Sequence, residues 1–189
     1  MTSALGYALL GLLARGDRTG YDLTRLMHRP VGYFWAAGHS QVYPELARLE
    51  AAGLVRHREI EGAGPRPTKE YAVTDLGRRE LTAWVASEPD LPGVKDPLMV
   101  RVYSLWLAEP AAARAFVAQL RSRYADRLAE FRGEESSFDR RLVADPSTPQ
   151  FAAYAALRAG LASAEAHVHW CDWLAAQLED GPTAQPEDD

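Results

Sequence analysis

Gly38-His39-Ser40-Gln41-Val42-Tyr43-Pro44-Glu45-Leu46-Ala47-Arg48-Leu49-Glu50-Ala51-Ala52-Gly53-Leu54-Val55 reads as one helix that stops on a glycine and passes directly into a strand. Pro44 has no N–H to donate, which places it near a helix N-terminus and pins the start close to Ser40. Gly53 supplies the C-terminal cap. At roughly 100° per residue, Val42, Leu46 and Leu49 form one stripe, and Ser40, Gln41, Pro44, Ala47 and Arg48 lie on the other side. One face suits a core. The other carries groups that pair with base edges and phosphates: Gln with adenine, Arg with guanine or phosphate, Ser with either. An ordinary amphipathic surface helix has the same pattern, so the flanking sequence decides.

Upstream, Ala4 to Leu13 is dense enough in apolar residues for a buried first helix. Thr19-Gly20-Tyr21-Asp22 then forms a capping box that opens a second helix through Met27. Downstream, Leu54 to Ile60 sets Val55 and Ile60 among Arg56, His57, Arg58 and Glu59, the mix expected of a half-solvated strand. Glu61-Gly62-Ala63-Gly64-Pro65-Arg66-Pro67-Thr68 is a Gly/Pro-rich hairpin loop, Lys69 to Val73 is the return strand, and Thr74-Asp75 caps a further helix to about Ala86. Helices followed by a two-stranded wing that bears Arg66 and Lys69 define a winged helix-turn-helix. Its wing tip is placed to touch phosphate or the minor groove. The expected class is mainly α with a small β-wing: a winged helix-turn-helix domain at 1–88, a C-terminal α-helical dimerisation domain at 94–180 and a disordered acidic tail at 181–189.

The first ninety residues resemble the PadR family of transcriptional regulators, named for repressors that respond to phenolic acids. The resemblance rests on Thr19-Gly20-Tyr21-Asp22-Leu23, Phe34-Trp35, Ser40-Gln41-Val42-Tyr43-Pro44-Glu45-Leu46, and Leu49 with Gly53-Leu54-Val55. It continues through Lys69-Glu70-Tyr71-Ala72-Val73-Thr74-Asp75-Leu76-Gly77 and Leu81 with Trp84. It implies an operator-binding repressor. The candidate contacts to double-stranded DNA are Thr19, Gly20, Tyr21, Ser40, Gln41, Tyr43, Pro44, Arg48, Arg66 and Lys69.

The composition, 189 residues with 47% apolar and 25% charged, accommodates one DNA-binding domain and one accessory domain. Cys171 is the only cysteine, so an intrachain disulfide is excluded, and a cytoplasmic setting is expected. Ala4 to Ala14 is too short to span a membrane and has no basic lead-in, so no membrane partner is expected. The net charge of −5 is unevenly spread. Residues 1–88 hold 11 Lys+Arg against 10 Asp+Glu, or +1, and residues 89–189 hold 10 against 16, or −6. DNA binding therefore depends on where Arg48, Arg56, Arg58, Arg66 and Lys69 point, and on two copies acting together.

Pro89-Asp90-Leu91-Pro92-Gly93 reads as a linker. Asp96-Pro97 opens a helix to about Ala108, and Pro110 opens the next. Val117, Leu120, Tyr124, Leu128, Phe131, Phe138 and Leu142 extend that helix, with Gly133 as a weak point. After Asp145-Pro146-Ser147-Thr148-Pro149, the residues Tyr154, Leu157, Leu161, Ala164, Val168, Cys171, Ala175 and Leu178 alternate in threes and fours. Such a seam wants a partner helix. Leu157, Leu161, Val168, Cys171 and Leu178 are the candidate homodimer contacts, and packing against the 110–142 helix of the same chain is the alternative. The resemblance adds that larger PadR proteins dimerise through a C-terminal helical domain, to whose ends Lys95-Asp96-Pro97-Leu98-Met99 and Val168-His169-Trp170-Cys171-Asp172-Trp173-Leu174 are similar. A twofold dimer implies an inverted-repeat target with half-sites about one helical turn apart.

Candidate residues for a small aromatic effector are Phe34, Trp35, His39, Trp106 and Trp170, since rings stack on flat ligands and imidazole binds a carboxylate or phenol. Tryptophans are more often core. His167, His169 and Cys171 make no metal site: residues two apart diverge by about 200° on a helix, and only two of the three share a face. No metal or cofactor is implied. No nucleophile elbow, phosphate-binding glycine loop or metalloprotease helix is present, so an enzyme is not expected. The other class kept open is a helical dimeric adaptor whose winged domain binds protein.

Overall fold

The computed structural model describes residues 2–28, 38–61, 67–89 and 95–179, which fall into two compact units, Met1–Asp90 and Leu91–Asp189. The first contains α1 (Ala4–Leu13), β1 (Arg18–Thr19), α2 (Gly20–His28), α3 (His39–Ala51), β2 (Val55–Ile60), β3 (Thr68–Val73) and α4 (Asp75–Val85). The strands form an antiparallel sheet in the order β1-β3-β2. The mainly helical class with a small wing holds. β1 was not anticipated, because two residues carry no periodicity to detect.

Local chemistry sets the boundaries. Ser3 accepts the Gly6 N–H as the N-cap of α1. Asp22 N donates to Thr19 Oγ1 at 3.1 Å while Asp22 Oδ2 accepts the Thr19 backbone N–H at 3.4 Å, so the capping box forms as read. α3 ends with Gly53 at φ 69°, a left-handed conformation that glycine adopts without strain. Leu54 N reaches back to Leu49 O and Gly53 N to Glu50 O, both at 2.9 Å, which closes a Schellman cap. α3 starts at His39, one residue before Ser40, and Pro44 is its sixth residue after the N-cap Gly38. Its missing N–H leaves the Ser40 carbonyl without the usual helical donor. Leu9, Leu10, Leu13, Leu23, Met27, Val42, Leu46, Leu49, Val55 and Tyr71 make the core, so the apolar stripe of α3 is buried as its spacing requires.

The second unit contains α5 (Pro97–Tyr103), a 3-10 turn at Leu105–Leu107, α6 (Pro110–Glu135), a 3-10 turn at Leu142–Ala144 and α7 (Pro149–Glu179). Two expected helices are shorter than their apolar content suggested. α5 stops at Tyr103 instead of Ala108, and Val100, Tyr103, Trp106 and Leu107 remain largely exposed, so burial does not support further turns. α6 stops at Glu135 instead of running to Leu142. Just past Gly133, Ser136 Oγ donates to Gly133 O at 2.6 Å and Ser137 Oγ to Glu134 O at 2.7 Å, and such short-range bonds compete with the helical ladder. Phe138 still packs on Tyr154, with centroids 5.6 Å apart.

α6 and α7 form an antiparallel hairpin. Arg121 pairs with Asp172, Arg132 with Glu165 at 3.0 Å, and Arg158 with Glu135 at 3.5 Å, and a Cβ at Gly160 would touch the Phe131 ring at 3.0 Å. Leu157, Leu161, Ala164 and Cys171 are buried within the chain beside Val117, Leu128 and Phe131. This is the same-chain packing that the spacing also allowed. Leu157, Leu161 and Cys171 are covered in a single copy by α6, and Val168 and Leu178 are half-buried, because a three-four spacing serves a helix of the same chain as well as one from another. Burial pushes the Cys171 thiol upward, with the Asp172 charge adding to it.

Candidate nucleic-acid interface

The outward face of α3 presents Ser40, Gln41, Tyr43, Pro44, Ala47 and Arg48 to solvent. Gln41 Oε1 accepts the Gly38 N–H at 3.4 Å, a bond at the limit of length that a base edge can replace. Tyr43 lies across the start of α2: a Cβ at Gly20 would come within 2.6 Å of its ring. Glycine therefore lets α2 and α3 meet closely, with Tyr21 62% exposed beside them. The Thr19-Gly20-Tyr21 turn and the first turns of α3 thus come together in one patch, as a DNA-binding helix pair requires.

The register of the wing sorts its charges. Arg56 and Arg58 lie across from Ala72 and Glu70 on the solvent face, and His57 lies across from Tyr71 on the core side. His57 Nδ1 contacts Glu50 Oε1 of α3, and its ring tilts on Tyr71 at 5.9 Å. Burial raises the Tyr71 phenol above its ordinary value, with the Glu50 and Tyr43 charges adding to the effect, so it is a neutral hydrogen-bonding group near neutral pH. Arg25 is paired with Asp22 at 3.7 Å, Arg48 with Glu45 at 2.8 Å and Arg58 with Glu70, whose oxygen accepts from Arg58 Nε at 2.7 Å. Arg56 and Lys69 are exposed and make no ion pair among the described residues. The near-neutral charge of the unit thus conceals an uneven distribution.

Thr74 joins the parts. Its hydroxyl donates to Gly53 O at 2.7 Å and accepts the Gly77 N–H at 3.1 Å, tying the end of α3 to the start of α4. A Cβ at Gly77 would stand 2.1 Å from Leu54 O, so backbone meets backbone there. Sequence reading missed this junction and the burial of Glu45. Glu45 stood beside the apolar stripe, a position that signals neither exposure nor burial by itself.

Phe34, Trp35, Arg66 and the His39 side chain lie outside the described residues, as do residues 90–93 of the expected linker and the whole of the tail expected at 181–189. Of the effector candidates, Trp106 is 79% exposed and Trp170 half-buried, both in the second unit. The first unit has a groove of about 610 Å³ whose aromatic wall is the Tyr7–Trp84 pair, stacked at 4.3 Å and 7°. Tyr7 donates its hydroxyl to Glu80 at 3.0 Å. Its phenol is raised above its ordinary value by burial and by that bond. His167 stacks on Tyr124 at 4.3 Å, and its Nδ1 lies 2.7 Å from Ser163 O. No helix among the described residues is long and apolar enough to cross a membrane.

A winged helix-turn-helix unit with an exposed reading face, followed by a helical hairpin unit, is the architecture of a DNA-binding transcriptional regulator. Residues 9–83 match the model of the transcriptional regulator PadR-like family, and residues 94–179 match that of the virulence activator alpha C-terminal region. The negative transcriptional regulator PadR of Bacillus subtilis is 34% identical over 181 residues, spanning 93% of this chain and 97% of that protein. The crystal structure of Bacillus subtilis PadR in complex with operator DNA superposes with a TM-score of 0.84 at 29% identity, covering 93% of this chain and 99% of that one. Its complex with p-coumaric acid gives 0.79 at 29% identity, covering 94% and 100%. The chain belongs to the PadR-like family of transcriptional regulators, and it is not an enzyme.

Proposed function

We propose that the chain is an operator-specific repressor that binds an inverted repeat as a homodimer and is released by a small aromatic effector. The observation that carries this reading is the single patch in which Gly20 and Tyr21 of α2 adjoin the exposed Ser40, Gln41, Tyr43 and Arg48 of α3. α3 reads base edges in the major groove, the start of α2 holds the backbone, and the wing anchors on phosphate through Lys69 and Arg66. Support for release comes from the p-coumaric acid complex of the Bacillus subtilis relative and from the aromatic wall of the Tyr7–Trp84 groove. The effector must favour a geometry that misplaces α3, and it then lowers DNA affinity by the factor by which DNA lowers its own.

The dimer surface is placed on the exposed apolar stretch of the second unit, where Val100 is 65%, Tyr103 85%, Trp106 79% and Leu107 70% exposed. Apolar groups of this size, clustered within eight residues, are unusual on a monomer. Mobility shifts on the region upstream of the chain's own gene, with random duplex as competitor and phenolic acids added, test the reading. Retention over competitor with release by a phenolic acid is expected. No preference over random DNA contradicts it.

A further inference from the structure

Among the described residues of the winged unit, one charged side chain is buried. Glu45 stands on α3 at the border of the apolar stripe and is only 3% exposed. Its Oε1 accepts a 2.6 Å hydrogen bond from Ser3 Oγ. Its Oε2 accepts no hydrogen bond among the described residues and lies 2.8 Å from the Arg48 guanidinium, which pairs with it as an ion. The carboxylate sits in a recess made by small residues: a Cβ at Gly6 would be 2.7 Å from Oε1. A buried carboxylate is costly unless it is paired, and an apolar side chain here would continue the stripe of Val42, Leu46 and Leu49. Instead the carboxylate faces the only arginine of α3.

Arg48 keeps 69% of its side chain exposed, so the guanidinium is tethered on one side and open to solvent on the other. An untethered arginine follows phosphates as a mobile charge. One whose orientation is fixed loses less entropy when it pairs, and one whose charge is half-compensated gains less from nonspecific attraction. Both effects shift its contribution from charge to geometry.

We propose that Glu45, anchored by Ser3, is a positioning residue that fixes the Arg48 guanidinium for a bidentate contact with guanine, making Arg48 a specificity-determining residue rather than a phosphate neutraliser. The proposal rests on α3 being the groove-reading helix. The test selects binding sites from a random duplex pool with the full-length wild type, Glu45→Gln, Arg48→Ala and the double variant. Melting curves accompany each. Glu45→Gln and Arg48→Ala are expected to lose guanine preference at the same position of each half-site. The operator-over-random affinity ratio should fall about tenfold in each, within the worth of one bidentate arginine–guanine pair. The double variant should be no worse than either single one. A Glu45→Gln loss that is equal on operator and random DNA, or that multiplies with the Arg48→Ala loss, overturns the proposal. Ser3→Gly keeps an acceptable N-cap while cutting the anchor. It should weaken preference at that same position, and unchanged preference there counts against the proposal even if Glu45→Gln does not fold. A wild type that selects no sequence overturns the reading of α3 itself, a result distinguishable from failure of the tether alone.

Discussion

Gly77 and Gly20 are small for different reasons, and replacing them should separate stability from binding. At Gly77 a methyl group would stand 2.1 Å from the Leu54 carbonyl oxygen, and both parties are backbone. Gly77→Ala should therefore move α4 away from the end of α3 and cost about 3 kcal/mol, the upper range for overpacking, read as a lowered denaturant midpoint. At Gly20 the obstacle is the Tyr43 ring, a side chain on the reading face that can swing aside. Gly20→Ala should leave the melting temperature nearly unchanged while weakening operator binding several-fold in an anisotropy titration. A variant of Gly20 that binds normally would remove Tyr43 and the α2–α3 junction from the interface. Neither close approach is visible in sequence, because each depends on where another element ends up. What sequence did reveal at this scale were caps: Ser3 at α1 went unremarked, but Thr19 with Asp22, Gly53 and Thr74 each act as their residue types require.

At the scale of elements, the proposal divides the work between α3 and the wing. Gln41 is exposed on α3, and its side chain holds the helix N-terminus only weakly. Gln41→Ala should relax base preference at one position of a selected site. Lys69 on β3 has no ion-pair partner among the described residues, so Lys69→Ala should weaken binding to all sequences and reduce the salt slope by about one. If both variants changed selectivity alike, the division between reading helix and anchoring wing would fail. The winged unit was legible because period and caps agree throughout its described residues. The helical unit was less so. The spacing of α7 announced a partner helix without saying whose, and α6 supplied it, joined through Arg132 and Glu165 at 3.0 Å. The ends of α5 and α6 were misjudged because apolar spacing continues past the point where burial or serine back-bonding stops the helix.

At the scale of the whole molecule, charge and association act together. With +1 on residues 1–88 and −6 on residues 89–189, one copy has little long-range attraction for DNA. On the proposed reading two copies act together to reach specific affinity, and the exposed Tyr103 and Trp106 are the surface proposed to hold them together. Tyr103→Ser with Trp106→Ser should shift the protein to monomer in sedimentation velocity, and operator binding should fall with it. A dimer that persists would move the interface elsewhere in the helical unit.

The central claim, that two copies of one reading helix recognise a specific duplex, is tested most directly by an anisotropy titration. The full chain is titrated onto its own upstream duplex and onto a scrambled duplex of equal length while salt is raised. Two chains per duplex are expected, with binding to the upstream sequence surviving from about 50 to 200 mM salt after binding to the scrambled one has vanished. Equal affinity for the two duplexes at every salt concentration would contradict it.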